Sequence, residues 1–237
     1  MNKTLLVIFC YNEEKNIKPL LNKIKKYKVY KNRDILFIDD CSKDSTYQII
    51  KFNKIKNSRI YRNKKNFGFG LNYKFSIKYA IKKKYEKLIF LHGDGQYPSN
   101  KVTFIDKSLD KYSLCYGSRR LNTLSMRKNM PFLRLIANIS LTFFINIMLK
   151  NNATEYFSGL RGLKVSRLKK LNLEKFDNKW IIEQQIHFYF INKKFNILEF
   201  PIPTVYKKSQ ISKLPPFNYV FSVILNTVKY SFYKMFC

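Results

Sequence analysis

Two short segments carry residue types that could handle a phosphorylated ligand. In the first, Asp39-Asp40-Cys41-Ser42-Lys43-Asp44-Ser45-Thr46 follows an apolar run. Two carboxylates at the end of a buried strand are costly to desolvate unless they meet a ligand or backbone donors. A nucleoside supplies such donors as ribose hydroxyls and base N–H groups, while Asp44 is also placed to cap a helix opening at Ser45. The second segment is His92-Gly93-Asp94-Gly95-Gln96. A strand-end Asp between glycines, with an imidazole two residues back, makes a corner for a divalent cation beside a diphosphate. Mg²⁺ takes oxygen ligands, whereas Mn²⁺ also accepts an imidazole. The chain has only 15 Asp and Glu in 237 residues, so this clustering of acids is informative.

Both segments sit where alternating elements would place them. Apolar runs predict strands at 4–9, 35–38, 59–62, 87–91, 113–117 and 197–202. Helical periodicity marks 14–27, 45–52, 70–83, a helix opening at Pro98-Ser99, and 180–190. Strand–helix alternation predicts a mostly parallel α/β sheet with helices on both faces. In such sheets ligands bind beyond the carboxyl ends of the strands, where the polar clusters at 10–14, 39–46 and 92–97 all fall.

The second half is different in kind. Residues 131–149 form a long apolar helical pattern whose polar members Arg134, Asn138, Thr142 and Asn146 recur every four residues, on one narrow ridge. Residues 217–237 form a second apolar helix after Pro215-Pro216. Neither reads as membrane-spanning, since Arg134 and Asn138 interrupt the first, and Lys229 leaves the second short of the roughly 20 residues needed. A polar stripe with flanking cations suits a helix lying in a membrane interface. A core or homo-oligomer contact is the other reading.

A count of 46 Lys and Arg against 15 Asp and Glu gives a net charge of +31, which attracts polyanions of every kind. No nucleic-acid motif accompanies it and the aromatics follow core periodicities, so no specific nucleic acid is expected. The four cysteines, Cys10, Cys41, Cys115 and Cys237, have no metal-ligand spacing. With a strand starting at Thr4 and no leader ahead of it, the expectation is a reduced, cytoplasmic setting.

In order along the chain, Phe9-Cys10-Tyr11-Asn12-Glu13-Glu14, Ile38 to Thr46, Asn66-Phe67-Gly68-Phe69-Gly70 with Asn72, Leu91 to Pro98, Gly117-Ser118-Arg119, Met130-Pro131 with Asn138 and Glu155 to Arg161, and Glu199 to Tyr206 resemble the motifs of glycosyltransferase family 2. The match is to the branch of polyprenyl-phosphate sugar transferases. The resemblance implies a GT-A fold over residues 1–215, with a nucleotide-binding half at 1–118, an acceptor half at 119–215, and an interfacial helix at 216–237. It implies an inverting hexose transfer from a UDP- or GDP-sugar to polyprenyl phosphate at the cytoplasmic face of the plasma membrane. A glycan or glycolipid hydroxyl is the alternative acceptor.

Position by position, Tyr11, Asn12, Glu13, Asp39, Asp40, Asn66, Gly68, Gly95, Ser158 and Gly159 would bind the nucleotide sugar. Asp94, helped by Gln96 and His92, would hold Mg²⁺ or Mn²⁺. Arg119 and Arg134 would meet diphosphate or acceptor phosphate, with Arg120, Arg127, Lys128 and Arg161 as further cations. A hydroxyl acceptor would need Glu155 or Glu183 as base, whereas a phosphate is already ionised. Two residues depart from the family pattern. His92 stands where an Asp is usual, which raises the reading of an inactive scaffold. Cys41 replaces a Gly, a poor exchange if that position needs a positive φ.

Overall fold

A computed structural model describes residues 3–205 and 216–233. Seven strands form one sheet: β1 (Thr4–Cys10), β2 (Arg33–Asp39), β3 (Ser58–Arg62), β4 (Lys87–His92), β5 (Leu114–Ser118), β6 (Arg161–Lys164) and β7 (Ile197–Pro201). Their spatial order is β3-β2-β1-β4-β6-β5-β7. Every pairing is parallel except those of β6, which runs antiparallel to both β4 and β5. The helices are α1 (Glu14–Lys26), α2 (Thr46–Phe52), α3 (Phe69–Lys82), α4 (Val102–Ser108), α5 (Thr123–Asn129), α6 (Phe132–Leu149), α7 (Ile182–Asn192) and α8 (Pro216–Tyr233).

Alternation along each strand builds two cores, because successive side chains leave opposite faces of the sheet. Leu5, Val7, Leu36, Ile38, Leu88 and Phe90 pack with residues of α3, α6, α7 and α8. Leu6, Ile8, Ile35, Phe37, Ile89 and Leu91 pack with residues of α1 and α4 on the other face. The result is an α/β sandwich whose β1, β2 and β4 are buried on both sides, as their continuous apolar runs imply.

Two elements are absent from the sequence reading. β6 is only four residues, Arg-Gly-Leu-Lys, too short for periodicity to show. It nonetheless joins β4 to β5, so the sheet runs unbroken across residue 118 and the two halves share it. α5 has no apolar stripe to announce it. The proposed helix at 217–237 appears as α8, its last four residues lying outside the described ones, as do 206–215 of the catalytic segment.

α6 is long and apolar enough, by length and composition, to cross a membrane. Beyond the exposed Arg134, its polar ridge faces the protein instead of solvent. Asn138 Nδ2 donates to Glu155 Oε1 at 3.2 Å, Thr142 is fully buried, and Asn146 exchanges hydrogen bonds with the backbone of Ala153. Phe132, Leu133, Ile136, Ile139, Phe143 and Ile147 are left exposed.

Candidate active site

A cleft of about 590 Å³ opens at the carboxyl ends of β1, β2 and β4. The turn after β1 and the turn after β2 are laced together to form one end. Asn12, at φ 54°, donates its N–H to Ser42 Oγ and accepts from Lys43 N, while Glu13 N donates to Thr46 Oγ1. Asp44 accepts from Thr46 N, Thr46 Oγ1 and Glu14 N, tying down the starts of both α1 and α2. Burial pushes the Asp44 carboxyl up, but its hydrogen bonds with Thr46 and Glu14 outweigh that and hold it below the usual range. Tyr11, Asn12, Glu13, Asp40 and Asn66 line this end.

The two acids after β2 have separate fates. Asp40 borders the cleft and accepts from Asn63 Nδ2 (2.6 Å), Phe67 N (2.9 Å) and Gly68 N (2.9 Å). It therefore shapes the wall that opens α3, with Gly68 at φ 83°. Asp39 is fully buried with Oδ2 3.1 Å from Arg62 Nε, and it does not border the cleft. The expectation of Asp39 as a nucleotide ligand is corrected on this ground, since adjacent residues of an extended chain point to opposite sides. Cys41 takes φ 61°, so this position does adopt the left-handed conformation.

At the centre, Asp94 and Gln96 border the cleft, with Gln96 N donating to Asp94 Oδ1 (3.0 Å) across a turn made by Gly95 at φ 70°. His92 packs its ring against Phe9, Phe69 and Tyr97. Its Nε2 is buried without a hydrogen-bond partner among the described residues, and a Cβ on Gly159 would lie 2.6 Å from it. Only a glycine can pass so close above the ring. The His92 ring thus lies close against the Gly159 turn. Among the described residues no three His, Cys, Asp or Glu side chains gather as a metal cage. A cation here would share its ligands between Asp94, Gln96 and substrate phosphates, a common mode for Mg²⁺.

The far end of the cleft is aromatic. Trp180, the chain's single tryptophan, stacks on Phe69 at 4.4 Å, and Phe157 meets Tyr219 edge-on. Gly159 N donates to Oη of the half-buried Tyr97 (2.8 Å), whose pKa desolvation pushes up to about 12. Glu183, in the first turn of α7, borders this end. Burial raises its pKa, partly opposed by Arg161 and His92; its Oε1 lies 3.8 Å from Arg161 Nε and has no hydrogen-bond partner among the described residues. Ser158 is fully buried and does not border the cleft, which corrects its assignment to the sugar pocket.

Three other expectations change. Glu155 is fully buried, its oxygens accepting from Arg119 N (2.6 Å), Arg119 Nε (2.7 Å) and Arg119 Nη2. It orients that arginine and cannot serve as a free base. Arg119 stands behind the cleft wall, while Arg134, from the first turn of α6, borders the cleft directly. Arg161 is 1% exposed and donates to the carbonyls of Ser158, Tyr156 and Glu183 at 2.7–2.8 Å. It is a structural bolt between the 156–159 turn and α7, not a phosphate contact. The aromatic wall of Phe69, Trp180 and Tyr219 was not foreseen; only the rarity of tryptophan hinted at it.

A mostly parallel sheet, with a cleft over its carboxyl edge lined by Asp94, defines a GT-A glycosyltransferase domain. The chain belongs to glycosyl transferase family 2, whose family model matches residues 5–171. It is 28% identical over 224 residues to UDP-N-acetylglucosamine–dolichyl-phosphate N-acetylglucosaminyltransferase of Methanococcus voltae, covering 88% of each chain. It is 22% identical over 221 residues to polyprenol monophosphomannose synthase of Mycolicibacterium smegmatis, covering 91% of this chain and 82% of that one. Among solved structures, it resembles glucosyl-3-phosphoglycerate synthase from Mycobacterium tuberculosis in complex with Mn²⁺, UDP and glucosyl-3-phosphoglycerate. That likeness has a TM-score of 0.68 at 11% identity, over 96% of this chain and 79% of that chain.

Proposed function

We propose that this protein transfers a sugar, with inversion, from a UDP- or GDP-sugar to a polyprenyl phosphate at the cytoplasmic surface of the membrane. The observation that carries this reading is the two-sidedness of α6. It points Arg134 into the cleft and presents Phe132, Leu133 and Ile136 outward. A cation at a reaction cleft, one helix face away from an apolar surface, suits a phosphate attached to a lipid. The named activities of the M. voltae and M. smegmatis relatives support the same acceptor class.

In this mechanism Tyr11, Asn12, Glu13 and Asn66 border the nucleotide end, and Asp40 keeps the α3 loop in place behind the base and ribose. Asp94 and Gln96 would hold the divalent cation together with the diphosphate; when bound, it neutralises charge developing on the leaving group. The acceptor phosphate is already ionised, so Arg134 needs only to orient it for in-line attack on the anomeric carbon. Glu155 fixes Arg119 behind it. Glu183 and the aromatic wall would enclose the sugar. A hydroxyl acceptor remains the second reading because Glu183 is a carboxyl of raised pKa bordering the cleft, suited to take a proton.

The test is a screen of UDP- and GDP-sugars with Mg²⁺ or Mn²⁺, with and without short polyprenyl phosphate. Nucleoside diphosphate release should rise with polyprenyl phosphate and fall by about 10²-fold or more in Asp94→Ala, since metal neutralisation supplies several kcal/mol. Arg134→Ala should raise the acceptor KM. Turnover only with hydroxyl acceptors, abolished by Glu183→Gln, would favour the second reading.

A further inference from the structure

α8 has two distinct faces. Its inner stripe is Tyr219, Val223, Asn226, Thr227 and Tyr230, spaced at helical intervals and turned towards α7. Gln185 Nε2 donates to Asn226 Oδ1 (3.0 Å), and Phe188 meets Tyr230 at 5.4 Å. At its upper end Tyr219 enters the catalytic cleft itself. Tyr219 Oη lies 2.7 Å from the Gln184 side-chain amide. With that amide accepting from Tyr219, its nitrogen reaches the carbonyls of Ile181 (3.1 Å) and Trp180 (3.3 Å). One hydrogen-bond chain thus runs from α8 through Gln184 to the turn that bears Trp180 and Glu183. The outer stripe of the same helix is apolar and exposed, with Phe221 and Phe232 at 66% and 73%. α8 packs against α6, a helix that also leaves apolar residues exposed.

We propose that Tyr219 is a positioning residue that couples the surface-facing helix α8 to the sugar end of the cleft. The seating of α8 on an anionic bilayer leaflet sets the Gln184 amide, and through it the Trp180–Glu183 turn. The occupant is argued from charge: Lys128, just ahead of α6, and Lys229, on α8, are exposed on a chain carrying +31, which matches an anionic headgroup layer. This inference rests on the membrane-surface reading above and deepens it, because surface contact then reaches the active site in the absence of any acceptor.

The chain supplies its own reporter, since Trp180 is the single tryptophan and stacks on Phe69 within the cleft. Full-length protein is mixed with acceptor-free vesicles of phosphatidylcholine, with and without phosphatidylglycerol. Sedimentation reads docking and Trp180 emission reads the cleft. The expected result is an emission shift only with the vesicles that sediment the protein. In Tyr219→Phe, which keeps the ring and loses the hydroxyl, that shift should be lost while sedimentation persists. Gln184→Leu, breaking the chain one link further on, should behave the same way. Docking with unchanged emission, or an equal shift in both variants, overturns the coupling and leaves membrane association standing. No sedimentation with anionic vesicles overturns the surface reading and the coupling together.

Discussion

At the scale of single residues, burial decides which polar groups act and which only hold. Glu155 and Glu183 look alike in sequence, yet Arg119 occupies the first with close hydrogen bonds, while the second borders the cleft with one oxygen 3.8 Å from Arg161 and, among the described residues, without a hydrogen bond. The raised pKa of Glu183 has a sign that can be checked. A carboxyl harder to ionise when folded contributes fully to stability below the ordinary glutamate range, and loses that contribution as pH rises through its folded value. Glu183→Gln mimics the protonated form, so its Tm advantage over the wild type should be smallest near pH 4 and grow towards pH 7. A difference that shrinks with pH would contradict the burial argument. Cys41 offers a second test. A non-glycine residue in the left-handed region costs about 1–2 kcal/mol, and glycine loses roughly 0.5–1 kcal/mol through the unfolded chain. Cys41→Gly should therefore gain about 0.5–1 kcal/mol in denaturant unfolding.

At the scale of elements, close approach of backbones sets the shape of the cleft. α3 crosses the 176–179 loop so tightly that a Cβ on Gly70 would lie 2.2 Å from the Asn178 carbonyl carbon. Lys74 Nζ locks the same contact by donating to Phe176 O (2.6 Å) and Asn178 Oδ1 (2.7 Å). Backbone cannot give way as a side chain can, so Gly70→Ala should cost about 1–3 kcal/mol or more. Because α3 opens on the Phe67-Gly68 turn that Asp40 holds at the nucleotide end, nucleotide affinity should fall with stability. Calorimetric titration of UDP or GDP beside a melting curve would show whether the two losses travel together. The polar ridge of α6 follows a related logic. Asn138 and Asn146 bond inward to Glu155 and the backbone of Ala153, so the apolar face is the one left for the surroundings.

At the scale of the whole molecule, the exposed apolar faces of α6 and α8 and the large positive charge are where the proposed surface contact can be tested. Phe132 and Leu133 are 72% and 81% exposed, so Phe132→Asp with Leu133→Asp should leave the melting temperature nearly unchanged. The same pair should weaken binding to anionic vesicles by about tenfold or more, through lost apolar burial of roughly 0.8 kcal/mol per CH₂ group. Wild-type binding should also weaken as salt shortens the screening length to about 3 Å near 1 M. Salt-insensitive binding, or a variant that binds like wild type, would point to a contact between protein copies. Analytical ultracentrifugation would then find a dimer that the double variant disrupts.

Much of this protein is legible in its sequence because periodicity and local chemistry need no distant partner. The apolar runs of β1, β2 and β4, the acids at their ends, and the family motifs in order define an α/β glycosyltransferase of family 2. The ridge of Arg134, Asn138, Thr142 and Asn146 was equally visible, but not the direction it faces. That direction, the capture of Glu155 by Arg119, the separation of Asp39 from Asp40 and the bolt made by Arg161 depend on contacts between residues far apart in the chain. So do β6, which finds its strand partners only in three dimensions, and Tyr219, which reaches the cleft from the far end of the sequence. Spacing along a chain reports which groups share an element; only packing determines which are desolvated, and desolvation determines what each polar group does.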